Sequence, residues 1–72
     1  MIALLNGKVI KKDLDSIVLL NSGIGYRIFS TASQISDLPL EQETELWIHE
    51  NIKEDKHDLF GFVDLNELEL FE

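Results

Sequence analysis

The residues of this chain able to do chemistry cluster in its second half. Glu54 and Asp55 stand side by side between Lys53 and Lys56, two carboxylates within a four-residue charged stretch. Read on its own, such a stretch is a solvated hairpin tip, the commonest fate of a charged turn. His49, Glu50, His57 and Asp58 bring metal-ligating atoms into the same region, but their spacing matches no standard ligand set. His49 reads better as a packed or interface histidine with one satisfied nitrogen. Gly23-Ile24-Gly25 lacks the third glycine and the strand-then-helix setting of a dinucleotide loop, so it is a turn. Ser16, Ser30 and Ser33 have no paired base, which leaves no nucleophilic constellation. Tyr26, Phe29 and Trp47 have the shape of base-stacking platforms. Such platforms work beside a basic groove, and only Arg27 is basic near them, so core or interface packing is the better reading.

The elements that must hold these residues follow from periodicity. Ile2 and Leu4, then Val9 and Ile10, flank Gly7, where a bulge or tight curvature is expected in a first strand. Lys11 to Asp15 reads as a polar hairpin loop. Ser16 to Leu20 is a short β-branched strand, and Asn21-Ser22-Gly23 is a hairpin turn. Ile24 to Ser30 alternates, with Ile24, Tyr26 and Ile28 on one face and Gly25, Arg27 and Phe29 on the other. The period then changes. Thr31 to Gln34 has the spacing of a capping box in which Gln34 reaches back, opening a short helix that sends Ile35 and Leu38 to the core and stops at Pro39. Thr44 to Lys53 returns to strand, with Leu46, Ile48 and Ile52 facing one way and Trp47, His49 and Asn51 the other. Glu54 to Asp58 is a charged turn, and Leu59 to Val63 a fifth strand. Asp64 to Glu67 repeats the capping pattern before a helix with Leu65, Leu68 and Phe71 on one stripe. Trp47 sits opposite the apolar face of its strand and is a candidate interface anchor.

Composition sets the bounds. Seventy-two residues make one small domain, which buries only about 60% of its unfolded surface and is marginally stable by itself. An apolar content of 44% still supports a core, and without cysteine no disulfide reinforces it, leaving close packing or oligomerisation. The apolar start, Met1 to Leu5, is too short for a signal peptide, and no run approaches the ~20 residues of a membrane helix, so a cytoplasmic protein without a membrane partner is expected. Fourteen acidic residues against six basic ones give a net charge of −8, which argues against phosphate binding and toward a protein-binding module.

Five strands with a short helix between the third and fourth are the order of a five-stranded, Greek-key OB barrel. We read residues 1–63 as that barrel and 64–72 as the start of a helix leading to a second domain outside this chain. The opening Met1-Ile2 through Gly7, Gly23-Ile24-Gly25-Tyr26, His49, and Lys53-Glu54-Asp55 followed by Leu59-Phe60-Gly61-Phe62 together resemble the amino-terminal domain of the RuvA family. Departures are Ile48 where the family usually has threonine, Glu50 where it has an apolar residue, and Phe60 where it has tyrosine. The resemblance implies a non-catalytic, cofactor-free subunit of the branch-migration machinery of recombination and repair. It implies a homotetramer that holds a four-way DNA junction open, recruits the ATP-driven RuvB motor through a C-terminal domain absent here, and works with the RuvC resolvase. Glu54 and Asp55 would then form an acidic pin at the junction centre; Lys53 beside them is a candidate either for contact with a neighbouring phosphate or for plain surface charge, and Trp47 and His49 are candidates for a subunit interface. Grip on phosphates would come from a second domain, which reconciles an acidic chain with a DNA role. The competing reading is a small acidic OB module for protein association with no DNA role. A free-standing single-strand binder lacks the basic residues it would need.

Overall fold

The computed structural model describes all 72 residues and places them in the order β1 (Leu4–Lys12), β2 (Ser16–Asn21), β3 (Ile24–Phe29), α1 (Ala32–Asp37), β4 (Glu43–Lys53), β5 (Lys56–Phe62) and α2 (Leu65–Phe71). The strands close into a barrel in the sequence β1-β2-β3-β5-β4, with β4 returning to β1. All neighbours are antiparallel except β3 and β5, which run parallel through Ile28–Leu59 and Phe29–Phe60. This is the OB-type barrel expected from the element order.

Alternation builds the interior. Val9, Ile17, Leu19 and Ile28 are fully buried, and Leu46, Ile48 and Leu59 complete the packing from the far side. Ile35 and Leu38 of the α1 segment join the same cluster, so the helix closes one end of the barrel. Thr31 caps α1 by accepting the Gln34 N–H at 3.2 Å.

Several local expectations change. β1 runs straight through Gly7, and its bulge lies at Val9–Lys11 instead. Gly7 is required for close approach, since a Cβ there would lie 2.5 Å from the Leu20 carbonyl oxygen. Strand character persists to Lys12, so only Asp13 to Asp15 turns. Ser22 and Gly23 both take positive φ, as a tight two-residue hairpin demands. Gln34 does not complete a capping box: its side chain donates to Ser30 Oγ and to the Gly61 carbonyl (2.8 Å), and accepts the Val63 N–H (2.9 Å). It thus ties α1 to the end of β5. Ile52 is 67% exposed, because its stretch of β4 has run beyond the core. The fifth strand begins at Lys56, leaving Glu54 and Asp55 alone in the turn. In α2, Leu68 is buried while Leu65 and Phe71 stay substantially exposed.

Candidate functional site at the tip of the β4–β5 ribbon

β4 is the longest strand, and only its first part is shared with the barrel. Residues Glu43 to Trp47 pair with β1, and Ala3 accepts one further bond from the Ile48 N–H at 2.8 Å. β5 meets β3 only at Leu59 and Phe60. From Asn51 to Asp58 the two strands pair solely with each other, through Asn51–Asp58, Ile52–His57 and Lys53–Lys56. At about 3.4 Å per residue this two-stranded ribbon carries its tip roughly 10 Å past the last shared pair. Glu54 and Asp55 occupy that tip, both exposed.

Neither tip carboxylate takes part in an ion pair, since the three in the chain join Lys11 to Asp13, His49 to Glu72 and His57 to Glu50. Lys53 and Lys56 face each other one step behind the tip. Like charges directly opposite oppose ribbon closure, so their placement gains nothing for the fold. The arrangement presents two unneutralised negative groups in front of two positive ones. It has no nucleophile, and no three metal-ligating side chains converge anywhere in the chain.

The histidines part company because they lie on opposite faces of the ribbon. His57 donates from Nε2 to Glu50 Oε2, while the other Glu50 oxygen accepts the Ile2 backbone N–H at 2.8 Å. The Glu50 side chain is only 4% exposed. The Ile2 amide is the largest influence holding its carboxyl below the ordinary value of 4.5; burial opposes this, and His57 and the amino terminus assist. A charge at this packed position is therefore compensated on both oxygens.

His49 lies on the outer face with Nδ1 2.9 Å from Glu72 Oε2, satisfied at one nitrogen as its sequence setting suggested. Its ring meets Phe71 edge-on at 5.2 Å, and Phe71 also packs on Phe60 (5.3 Å) and Phe62 (5.1 Å). These contacts dock α2 on the barrel wall. Trp47 is half-buried on the same outward side of β4, between the register partners Leu4 and Phe62. Sequence reasoning missed the Glu50–His57 pair and the aromatic cluster. The alternation of Phe60 and Phe62 about buried Gly61 was the available signal for the cluster. The Glu50–His57 contact is a diagonal across the hairpin and needs the register to be seen.

Residues 1–61 match the family described as the RuvA N terminal domain. The chain belongs to the RuvA N-terminal domain family. It is 41% identical over 71 residues to the Holliday junction branch migration complex subunit RuvA of Syntrophotalea carbinolica, covering 99% of this chain and 36% of that protein. The subunit of the same name from Geobacter sulfurreducens is 44% identical over 73 residues, covering 100% and 37%. That from Beutenbergia cavernae is 38% identical over 72 residues, covering 100% and 36%. The chain thus spans little more than a third of the length of these curated relatives. No helix is long and apolar enough to cross a membrane.

Proposed function

We propose that this chain is the junction-centre module of a Holliday-junction branch-migration complex, a non-catalytic, cofactor-free part that shapes DNA for a separate motor. The observation that carries this reading is a pair of exposed, unpaired carboxylates, Glu54 and Asp55, at the tip of a projecting ribbon in a RuvA-family chain. Four copies about a common axis gather eight carboxylates into one negative post. Each pair of charges about 4 Å apart repels by ~1 kcal/mol in water, and by more where solvent is excluded. Facing phosphates, the post keeps strands apart at the crossover and lowers the barrier to moving it. Lys53, just behind the tip, meets the flanking backbone, and Lys56 serves as surface charge. Trp47 and His49 contribute to contacts between copies. Affinity comes from further domains, RuvB supplies the ATP-driven pull, and RuvC resolves the junction, all in the cytoplasm.

The test joins this chain to the remaining length of the Geobacter sulfurreducens relative and compares it with its Glu54→Lys/Asp55→Lys double variant. Reversal is expected to preserve or tighten junction binding in a gel shift while changing the branch-migration rate in the presence of the motor. Unchanged migration would remove the pin. The chain alone is expected to shift junction DNA weakly or not at all, and nanomolar binding by it would contradict the assignment of grip to other domains. The net charge of −8 favours a second reading, an acidic protein-association module. Under that reading the reversal leaves junction handling untouched.

A further inference from the structure

Both oxygens of Glu50 are used, and by groups that are distant in sequence. Oε1 accepts the Ile2 N–H from the segment leading into β1, and Oε2 accepts His57 Nε2 from β5. Glu50 itself sits on β4 opposite Leu59, with His57 one diagonal step toward the tip. The carboxylate therefore ties together the amino-terminal segment and both strands of the ribbon, at the level where the ribbon leaves the barrel. Beyond it the ribbon has no other partner than itself. A two-stranded ribbon is free to twist and swing about its base, and one so short is only marginally stable unaided. Ile52, next on the same face, is exposed and gives no packing anchor. The groups facing the Glu50 carboxylate are the Ile2 amide, the His57 imidazole and the amino-terminal ammonium, all donors or positive charges.

We propose that Glu50 is a positioning residue: held by the Ile2 amide and His57, it fixes the direction in which the ribbon carries Glu54 and Asp55 away from the barrel. The functional meaning rests on the pin reading above, but the geometric statement does not. A hydrophobic residue here would fill space without choosing a direction, since dispersion contacts are non-directional. A carboxylate with two fixed donors defines an angle. The tether has two halves. The Ile2 bond sets the ribbon against the barrel, and the His57 bond sets β5 against β4.

The experiment measures backbone amide residual dipolar couplings and amide exchange on the 72-residue chain and on Glu50→Leu, Glu50→Gln and His57→Ala variants. Leucine removes both bonds and supplies an apolar side chain of similar size outside the core cluster, so the barrel is expected to stay folded with a somewhat lower melting temperature near neutral pH. In that variant the couplings of residues 52–57 should cease to fit the barrel's alignment frame, and the Ile2 amide should exchange roughly ten-fold faster or more, as loss of a bond to a charged acceptor implies. Glutamine keeps an acceptor for Ile2 and is expected to restore most of the Ile2 protection and the ribbon's orientation. His57→Ala should leave Ile2 protected while loosening residues 56–58. A purely structural role moves only the melting temperature. If Glu50→Leu leaves the couplings of residues 52–57 unchanged, or glutamine fails to restore them, Glu50 does not position the ribbon. Because no DNA enters, that outcome leaves the pin reading standing. Conversely, a Glu54→Lys/Asp55→Lys chimera with normal migration removes the pin and leaves the tether intact.

Discussion

The Ile2 amide holds the Glu50 carboxyl below its ordinary value of 4.5, and stability must follow pH accordingly. Folding favours the ionised form. The contribution is therefore complete above the unfolded carboxyl range and is lost as pH falls through the lower, folded value. A Glu50→Gln variant carries no such titration. Its thermal midpoint is expected to fall below wild type near neutral pH and to converge with it in acid, as followed by circular dichroism from pH 7 to pH 2. A constant offset across that range would show that the charge does not contribute. Other single residues act by size. Leu19 and Ile28 are fully buried, and truncating either to alanine should cost about 2–5 kcal/mol. A domain this small holds only about 5 kcal/mol in total, so both variants are expected to be largely unfolded or to lose most of their urea midpoint.

Among the elements, β1 and the α1–β5 junction depend on one side chain each, or on its absence. Gly7→Ala forces a methyl against a backbone oxygen that cannot rotate away, and a loss of about 1–3 kcal/mol is expected in urea titration. Gln34 links α1 to Gly61 and Val63. Removing it by Gln34→Ala should cost about 1 kcal/mol and speed exchange of the Val63 amide. Gln34→Glu should be worse than alanine, because it sets a negative oxygen against the Gly61 carbonyl; a melting temperature equal to that of the alanine variant would argue against the clamp. Every strand and both helices were legible because alternation and capping are local signals. Gln34 was misread for the same reason: its spacing from Thr31 fits a capping box, and only the fold brings Gly61 and Val63 within reach. Ile52 takes the face its alternation assigns, but its exposure was not legible, because period-two alternation does not tell where the barrel beneath a strand ends. The tip residues could be named from sequence. Their freedom from ion pairs and their projection on an unshared ribbon follow from register, which single-strand patterns do not contain.

For the molecule as a whole, a charge of −8 on 72 residues opposes compaction, and added monovalent salt should raise the melting temperature modestly by screening. A midpoint insensitive to salt between about 10 mM and 500 mM, about a seven-fold span of Debye length, would indicate that the acidic side chains are too dispersed to repel. The barrel class was readable from element count, whereas its closure was not: the parallel pairing of β3 with β5 joins residues 31 positions apart and leaves no periodic trace. That joint consists of just Ile28–Leu59 and Phe29–Phe60, while each antiparallel neighbour shares four or more register positions. With the fewest pairs of any seam, it is the joint expected to open first. Opening there flattens the cylinder into a sheet, bares two strand borders together with Phe29 and Phe60, and offers them to the matching borders of another chain. Concentrated solutions held near the thermal midpoint should therefore accumulate exchanged dimers, with the backbone protons of this joint the earliest to be replaced by deuterium.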